Sequence, residues 1–226
     1  MGILKKLTEE YFGEIEREED LIDIDIHDLN VEIVSFTDNN GKKHKKGYKP
    51  KYRNDLKELL KRMIKVRGDE GNFNDIDTSD IASMQFLFNY NSTFNGDITG
   101  WNVSSVISMY GMFYNATSFN QPIGNWDVSS VTDMSSMFSS TSSFNQPIGN
   151  WKFPKVENMK FMFSYAESFN QPIGDWKFPN VTDMSGMFYG ASSFNQDLSE
   201  WNLKGKNITD MFFNCPIKDE YKPKMK

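Results

Sequence analysis

Between residues 76 and 217, apolar positions return with a step of 25 residues. The tryptophans stand at Trp101, Trp126, Trp151, Trp176 and Trp201. The pair Phe-Asn stands at 94–95, 119–120, 144–145, 169–170 and 194–195. Two methionine columns keep the same step: Met84, Met109, Met134, Met159 and Met184, then Met112, Met137, Met162 and Met187. A phenylalanine column follows at 88, 113, 138, 163 and 188. Columns held in one register identify a repeat array, in which each unit buries its apolar face against the next. In the unit that starts at Trp126, Trp126 and Val128 alternate around Asp127, the period of a strand. Val131, Met134, Met137 and Phe138 then share one face of a short helix, with Ser129 or Ser130 as N-cap and Asp133 in the first turn. The pattern predicts an α/β repeat: a solenoid of about six 25-residue coils over residues 76–217, each a short strand plus a short helix.

The asparagine of each Phe-Asn pair never varies: Asn95, Asn120, Asn145, Asn170 and Asn195. An amide buried in a turn can bond backbone groups of its own coil and the next, so a structural ladder is expected there. The methionine columns read as pliable core filler. The ends depart from the pattern. Ile76 stands where a tryptophan belongs, and Lys206 stands in the valine column. The word Ile208-Thr209-Asp210-Met211 aligns with Val131-Thr132-Asp133-Met134 if two residues, Gly205-Lys206, are inserted. Cys215 then falls in the phenylalanine column as a small apolar residue. Residues 218–226 read as a polar tail.

Residues 1–75 carry no tryptophan and no repeat. Residues 1–47 read as an N-terminal α/β segment of helix, strand and basic turn, and residues 48–75 as a capping helix and linker. Leu4, Leu7, Tyr11 and Ile15 suit an amphipathic helix to about Glu19. Residues 29–36 alternate like a strand, and Asp38-Asn39-Asn40-Gly41 is a turn signal. From Tyr52 to Arg67, Leu56, Leu59, Leu60, Met63, Ile64 and Val66 give a helix an apolar face, with Asn54 as N-cap and Gly68 as the stop. That helix is placed to cover the open end of the array.

Composition narrows the function. The chain has 226 residues, 25 basic against 31 acidic, and a net charge of −6, which argues against a general nucleic-acid partner. Charge is segregated, with ten acids between Glu9 and Asp28 and twelve basic residues between Lys42 and Arg67. The basic turn at 42–53 reads as contact with nucleic acid, an anionic surface or an acidic partner or, more simply, as a solvated hairpin tip partly neutralised by the acidic segment. One cysteine and two histidines, His27 and His44, leave little for a metal site, so no metal and no cofactor is expected. No apolar run approaches membrane-span length, so membrane insertion is not expected. The first residues lack the apolar core of a secretory leader, which leaves a cytoplasmic address as open as a surface one.

The motif F-N-Q-P-I-G-N-W-D-V-S-S-V-T-D-M-S-S-M-F resembles the repeat of the BspA-like bacterial proteins, a divergent leucine-rich-repeat-type group often found on cell surfaces. The likeness covers about residues 75–215. It implies a leucine-rich-repeat-like solenoid and a non-enzymatic protein-binding role of the adhesion or host-contact type. It carries over no catalytic residue.

Repeats keep what packing needs and vary what it does not. The irregular large residues, Tyr90, Tyr110, Tyr114, Phe161, Tyr165 and Tyr189, are therefore the candidates for binding a protein partner. The simpler reading is that these rings pack over helix ends. A cytosolic inhibitor or immunity-type protein is the alternative function, and a monomer is expected in either case. Asp133 and Asp183, with Asp210 as counterpart, could begin a carboxylate row, but Ser108 and Asn158 break it. No nucleophile–base pair accompanies them, so no enzyme is expected.

Overall fold

The structure, a computed structural model, describes residues 24–224. The helix expected up to Glu19 lies outside the described residues. Strand β1 (Val31–Thr37) pairs antiparallel with β2 (Lys43–Pro50), with an irregularity between Val34 and Phe36. At the tip, Asp38 Oδ1 accepts the backbone N–H groups of Asn40 and Lys42, and Gly41 takes the left-handed φ of 83° that closes the turn. The lysine-rich run is thus a strand rather than a turn, and it crosses the boundary expected at residue 47. Helix α1 (Arg53–Arg67) buries Leu56, Leu59, Leu60 and Met63, with Ile64 packed at their edge, whereas Val66, expected on the same face, is exposed. Its N-cap is Tyr52, not Asn54, because Asp55 reaches back to accept the Tyr52 N–H at 3.2 Å. A short 3-10 turn, η1 (Asp219–Tyr221), follows the last unit.

The 25-residue step reappears in the hydrogen bonding. Single parallel bridges join Ser83 to Ser108, Ser108 to Asp133, Asp133 to Asn158 and Asn158 to Asp183. Rings of equal rank stack in the same order: Phe88, Phe113, Phe138, Phe163 and Phe188 lie 5.5–5.7 Å apart, nearly coplanar in angle. The tryptophan, valine, methionine and phenylalanine columns are buried. Four of the five indoles donate to a carbonyl 28 residues earlier, as Trp151 Nε1 does to Ile123; Trp126 Nε1 has no partner.

The helix expected in each unit is a run of linked turns instead. Met137, Ser139 and Thr141 donate to the carbonyls three residues back, at Met134, Ser136 and Phe138. The intervening Met134, Ser136, Phe138 and Ser140 donate forward, to Asn158, Lys160, Met162 and Ser164 of the next unit. An α-helix would send each of these N–H groups four residues back. Here left-handed backbone at Ser136 (φ 53°) and Ser140 (φ 58°) interrupts the right-handed path. The stacked neighbour then supplies acceptors that the chain's own preceding turn cannot.

The last unit is also built differently from expectation. Asp183 bridges to Asn207, a step of 24, and Phe188 stacks on Phe212 at 5.8 Å. One residue is missing after Lys206, rather than two being inserted. Lys206 keeps the valine place with its ammonium over the Phe178 ring, where Nζ donates to the carbonyls of Phe178 and Val181. Phe212 holds the phenylalanine column, so Cys215 moves to the column of Ala166 and Ala191, where burial pushes its thiol pKa up.

The N-terminal elements close the first end. Tyr48 of β2 bridges in parallel to Ile76, as a preceding unit would. Arg53 Nε and Lys57 Nζ of α1 donate to the carbonyls of Gln85 and Phe86. Arg67 grips Asp75 through two bonds of 2.7 and 2.8 Å. The hairpin tip reaches further: Asn39 N–H donates to the Gly100 carbonyl, and Asn125 Nδ2 donates to Asn40 Oδ1. Asp38 is buried there against His44, with Nε2 to Oδ2 at 2.9 Å, and Phe36 stacks on the imidazole.

Candidate functional site

Each unit bends twice through left-handed backbone. One column of such positions is Phe86, Gly111, Ser136, Phe161, Gly186 and Asp210; the other is Tyr90, Asn115, Ser140, Tyr165, Gly190 and Asn214. Glycine and asparagine occupy such backbone most easily, whereas a bulky side chain there is strained by about 1–2 kcal/mol. Phe86, Tyr90, Phe161 and Tyr165 nonetheless hold φ of 53–59°. Their rings lie toward the following unit. A Cβ on Gly111 would come within 2.5 Å of the Phe86 ring, and one on Gly186 within 2.0 Å of the Phe161 ring. Phenylalanine here therefore requires glycine one unit later.

The neighbouring positions add more rings. Phe86 and Tyr110 meet at 4.5 Å and 63°, Tyr90 and Tyr114 at 5.2 Å and 78°, and Tyr165 and Tyr189 at 5.4 Å and 62°. Two rings near perpendicular cannot both lie flat on the surface, so each pair raises a ridge. The unit starting at Trp126 has only small residues in these columns: Ser136, Ser139 and Ser140. Together with Ser164 they floor a trough of about 540 Å³. Phe86, Tyr90, Tyr110 and Tyr114 wall one side of it, and Phe161 and Tyr165 the other. Tyr90 is 64% exposed and Tyr165 49%, so these rings are not core. The Tyr114 phenol has its pKa raised above the usual value by a hydrogen bond with Tyr90, with burial adding to it. Burial and a hydrogen bond with Tyr165 raise that of Tyr189.

Five of the six aromatic residues singled out in the sequence come together in this trough. Tyr189 does not line it; its ring stacks on Phe213 at 4.9 Å, one unit beyond. The expectation that such rings pack over helix ends has no helix to rest on. Phe86 and the serine floor were missed, although Phe86 shares a column with Phe161 and could have been found by reading that column to the first unit.

The asparagine column makes the inter-unit bonds expected of a ladder, from half-buried rather than fully buried positions. Asn95, Asn120, Asn145 and Asn170 each accept, on Oδ1, the backbone N–H of the asparagine 25 residues on, at 2.9–3.0 Å. The same oxygens accept Gln121, Gln146, Gln171 and Gln196 Nε2. Asn195 Oδ1 accepts Lys218 N–H instead.

The acidic column is occupied by local turns. Asp133 and Asp183 accept the N–H groups of Ser135 and Ser185, and Asn207, not Asp210, takes the equivalent place. Asp210 sits in the left-handed column because of the missing residue. Among the described residues, no three His, Cys, Asp or Glu side chains are grouped to hold a metal, and no helix is long and apolar enough to cross a membrane. Lys42, Lys43, Lys45 and Lys46 are exposed on the hairpin, away from the trough lining.

A family described as "Mycoplasma protein of unknown function, DUF285" matches residues 54–167 and 123–222. No curated protein and no solved structure matches the chain.

Proposed function

The chain belongs to the DUF285 family of Mycoplasma proteins, whose function is unknown, and on that premise we propose that it is a non-enzymatic recognition module that binds a protein partner in the aromatic trough. The carrying observation is the placement of Phe86, Tyr90, Phe161 and Tyr165 on left-handed backbone. Packing alone favours glycine or asparagine at those positions, as Gly111, Asn115, Gly186 and Gly190 illustrate. Strain held at exposed aromatic rings points to a use for the rings outside the fold. Tyrosines that are rigid and half-exposed are common anchors of protein interfaces. The repeat is read as a BspA-like, leucine-rich-repeat-type solenoid, with linked turns in place of helices. Such a stack gives a rigid, extended surface on which a few columns vary.

The test begins with a partner captured from the native cell and identified. Its affinity is then measured for three proteins: the unaltered chain, a variant with Tyr114, Phe161 and Tyr165 changed to serine, and a variant with Lys42, Lys43, Lys45 and Lys46 changed to alanine. Loss of even one such anchor should weaken binding about thirtyfold or more. If only the lysine variant loses binding, and binding also fades steeply with salt, the hairpin is the site and the trough reading fails.

A further inference from the structure

We infer that Gly186 and Gly190 are positioning residues of the trough: each gives a ring of the far wall a place to lie, and together they set how far the trough stands open. This rests on the reading of the trough as the recognition site. A Cβ on Gly186 would run into the Phe161 ring, and one on Gly190 would come within 2.7 Å of the Tyr165 ring. Packed atoms do not approach so closely, so both rings occupy space that only a missing side chain leaves. Both glycines belong to the unit after the wall, on the side away from Ser136 and Ser140. Phe161 and Tyr165 therefore lean away from the floor and leave the space above the serines clear.

The molecule contains its own comparison. Tyr90 and Tyr165 stand in one column on nearly the same backbone, with φ of 59° and 54°. Tyr165 is followed one unit later by Gly190 and is 49% exposed, whereas Tyr90 is followed by Asn115 and is 64% exposed. Each also meets a tyrosine at a steep angle, at 5.4 and 5.2 Å, so the ring partner does not account for the difference. With a side chain one unit later, the ring stands higher. In the near wall, Phe86 lies over Gly111 as Phe161 lies over Gly186. There the same lean carries the ring toward the floor. The lean has one direction along the stack, so the two walls are not mirror images, and only the far wall's glycines keep the trough open.

Serine suits the backbone at 186, since Ser136 holds φ 53° in the same column and Gly186 holds 59°. Gly186→Ser therefore keeps the path of the chain and removes the place where Phe161 lies. The ring must take another staggered position, outward or back over Ser136, and either one changes the wall that a partner meets.

The experiment compares four full-length proteins: the unaltered chain, Gly186→Ser, Phe161→Ser and the double variant. Proton NMR reads the ring directly, because a ring lying over a glycine shifts its α protons upfield. That shift should be present at Gly186 in the unaltered chain and lost in Phe161→Ser. In Gly186→Ser, the through-space contacts between the Phe161 ring and residue 186 should disappear. Affinity is measured for the partner captured with the unaltered chain. Gly186→Ser should weaken it about tenfold, yet change it less than about twofold when Phe161 is already serine. A glycine needed only for the backbone would cost the same in both backgrounds. Gly190→Ser with Tyr165→Ser repeats the cycle for the second ring. Unshifted α protons at Gly186, or equal weakening in both backgrounds, overturns the positioning role. If Phe161→Ser weakens binding and Gly186→Ser does not, the trough stands as the site and the positioning role falls. If neither weakens it, the trough reading itself falls.

Discussion

Two columns of the same units follow different rules. In the Phe-Asn column, Asn120, Asn145 and Asn170 repeat one set of bonds, each oxygen serving a backbone N–H and a glutamine of the next unit. In the serine column, neighbours range from Gly186 to Phe161, and the backbone nevertheless keeps its φ within a few degrees. The contrast separates two sources of order. At the asparagines, the side chain holds the backbone. At the left-handed positions the backbone is held by the stack, through pairs such as Ser136 to Lys160 and Ser140 to Ser164, so the side chain is released from that duty.

The contrast can be tested by substitution, beginning with the core that both columns share. Met162→Ala removes a fully buried side chain between stacked units and should cost about 2–5 kcal/mol in denaturant unfolding. Asn145→Ala orphans one donor, the Asn170 N–H, while Gln171 Nε2 keeps the Asn145 backbone carbonyl, and should cost about 1–3 kcal/mol. Asn195→Ala should cost less, because its oxygen serves only the exposed Lys218 N–H. Equal, negligible losses at both would mean that water replaces the ladder without penalty. Phe161→Ser and Tyr165→Ser should each stay within about 0.5 kcal/mol, as surface changes do. A loss beyond 2 kcal/mol at either would make these rings structural and remove the argument for binding.

The smallest expected effect is a titration. Because Tyr114 has its pKa raised above 10.0, the unfolded chain releases that proton first. The stabilising contribution is full below the ordinary tyrosine range and is lost as pH rises through the folded value. Tyr114→Phe should remove ultraviolet phenolate absorbance that develops above the ordinary range, and removal of amplitude only at the ordinary value would contradict the hydrogen bond to Tyr90.

The buried columns, the asparagine ladder and the capping face of α1 were legible because each is dictated by repetition or by apolar spacing. The linked turns were not. Val131, Met134, Met137 and Phe138 fit a helical face, and only the φ values at Ser136 and Ser140, unmarked by glycine, decide otherwise. Paired rings at unit intervals can be seen in the sequence once the columns are aligned. The gap between them cannot, because a run of serines reads as filler until the rings on either side are known to stand upright. The missing residue after Lys206 was obscured by the word Thr209-Asp210-Met211, which repeats Thr132-Asp133-Met134 in letters but not in place.

Since the units repeat one pattern of backbone bonds between neighbours, gene duplication or excision in whole steps costs the fold no new junction wherever a unit with Phe86 or Phe161 is still followed by one with glycine. Excision of residues 126–150 would join Asn125 to Trp151 just as Asn150 joins it now. The hairpin's grip on Asn125 would survive, and so would the ladder, with Asn170 meeting Asn120. The shortened chain would keep its architecture and lose the serine unit, bringing the Tyr114 and Phe161 ridges onto adjacent steps. In a lineage of such chains the number of units can drift freely, whereas the order of large and small units is the inheritable part of what the surface can hold.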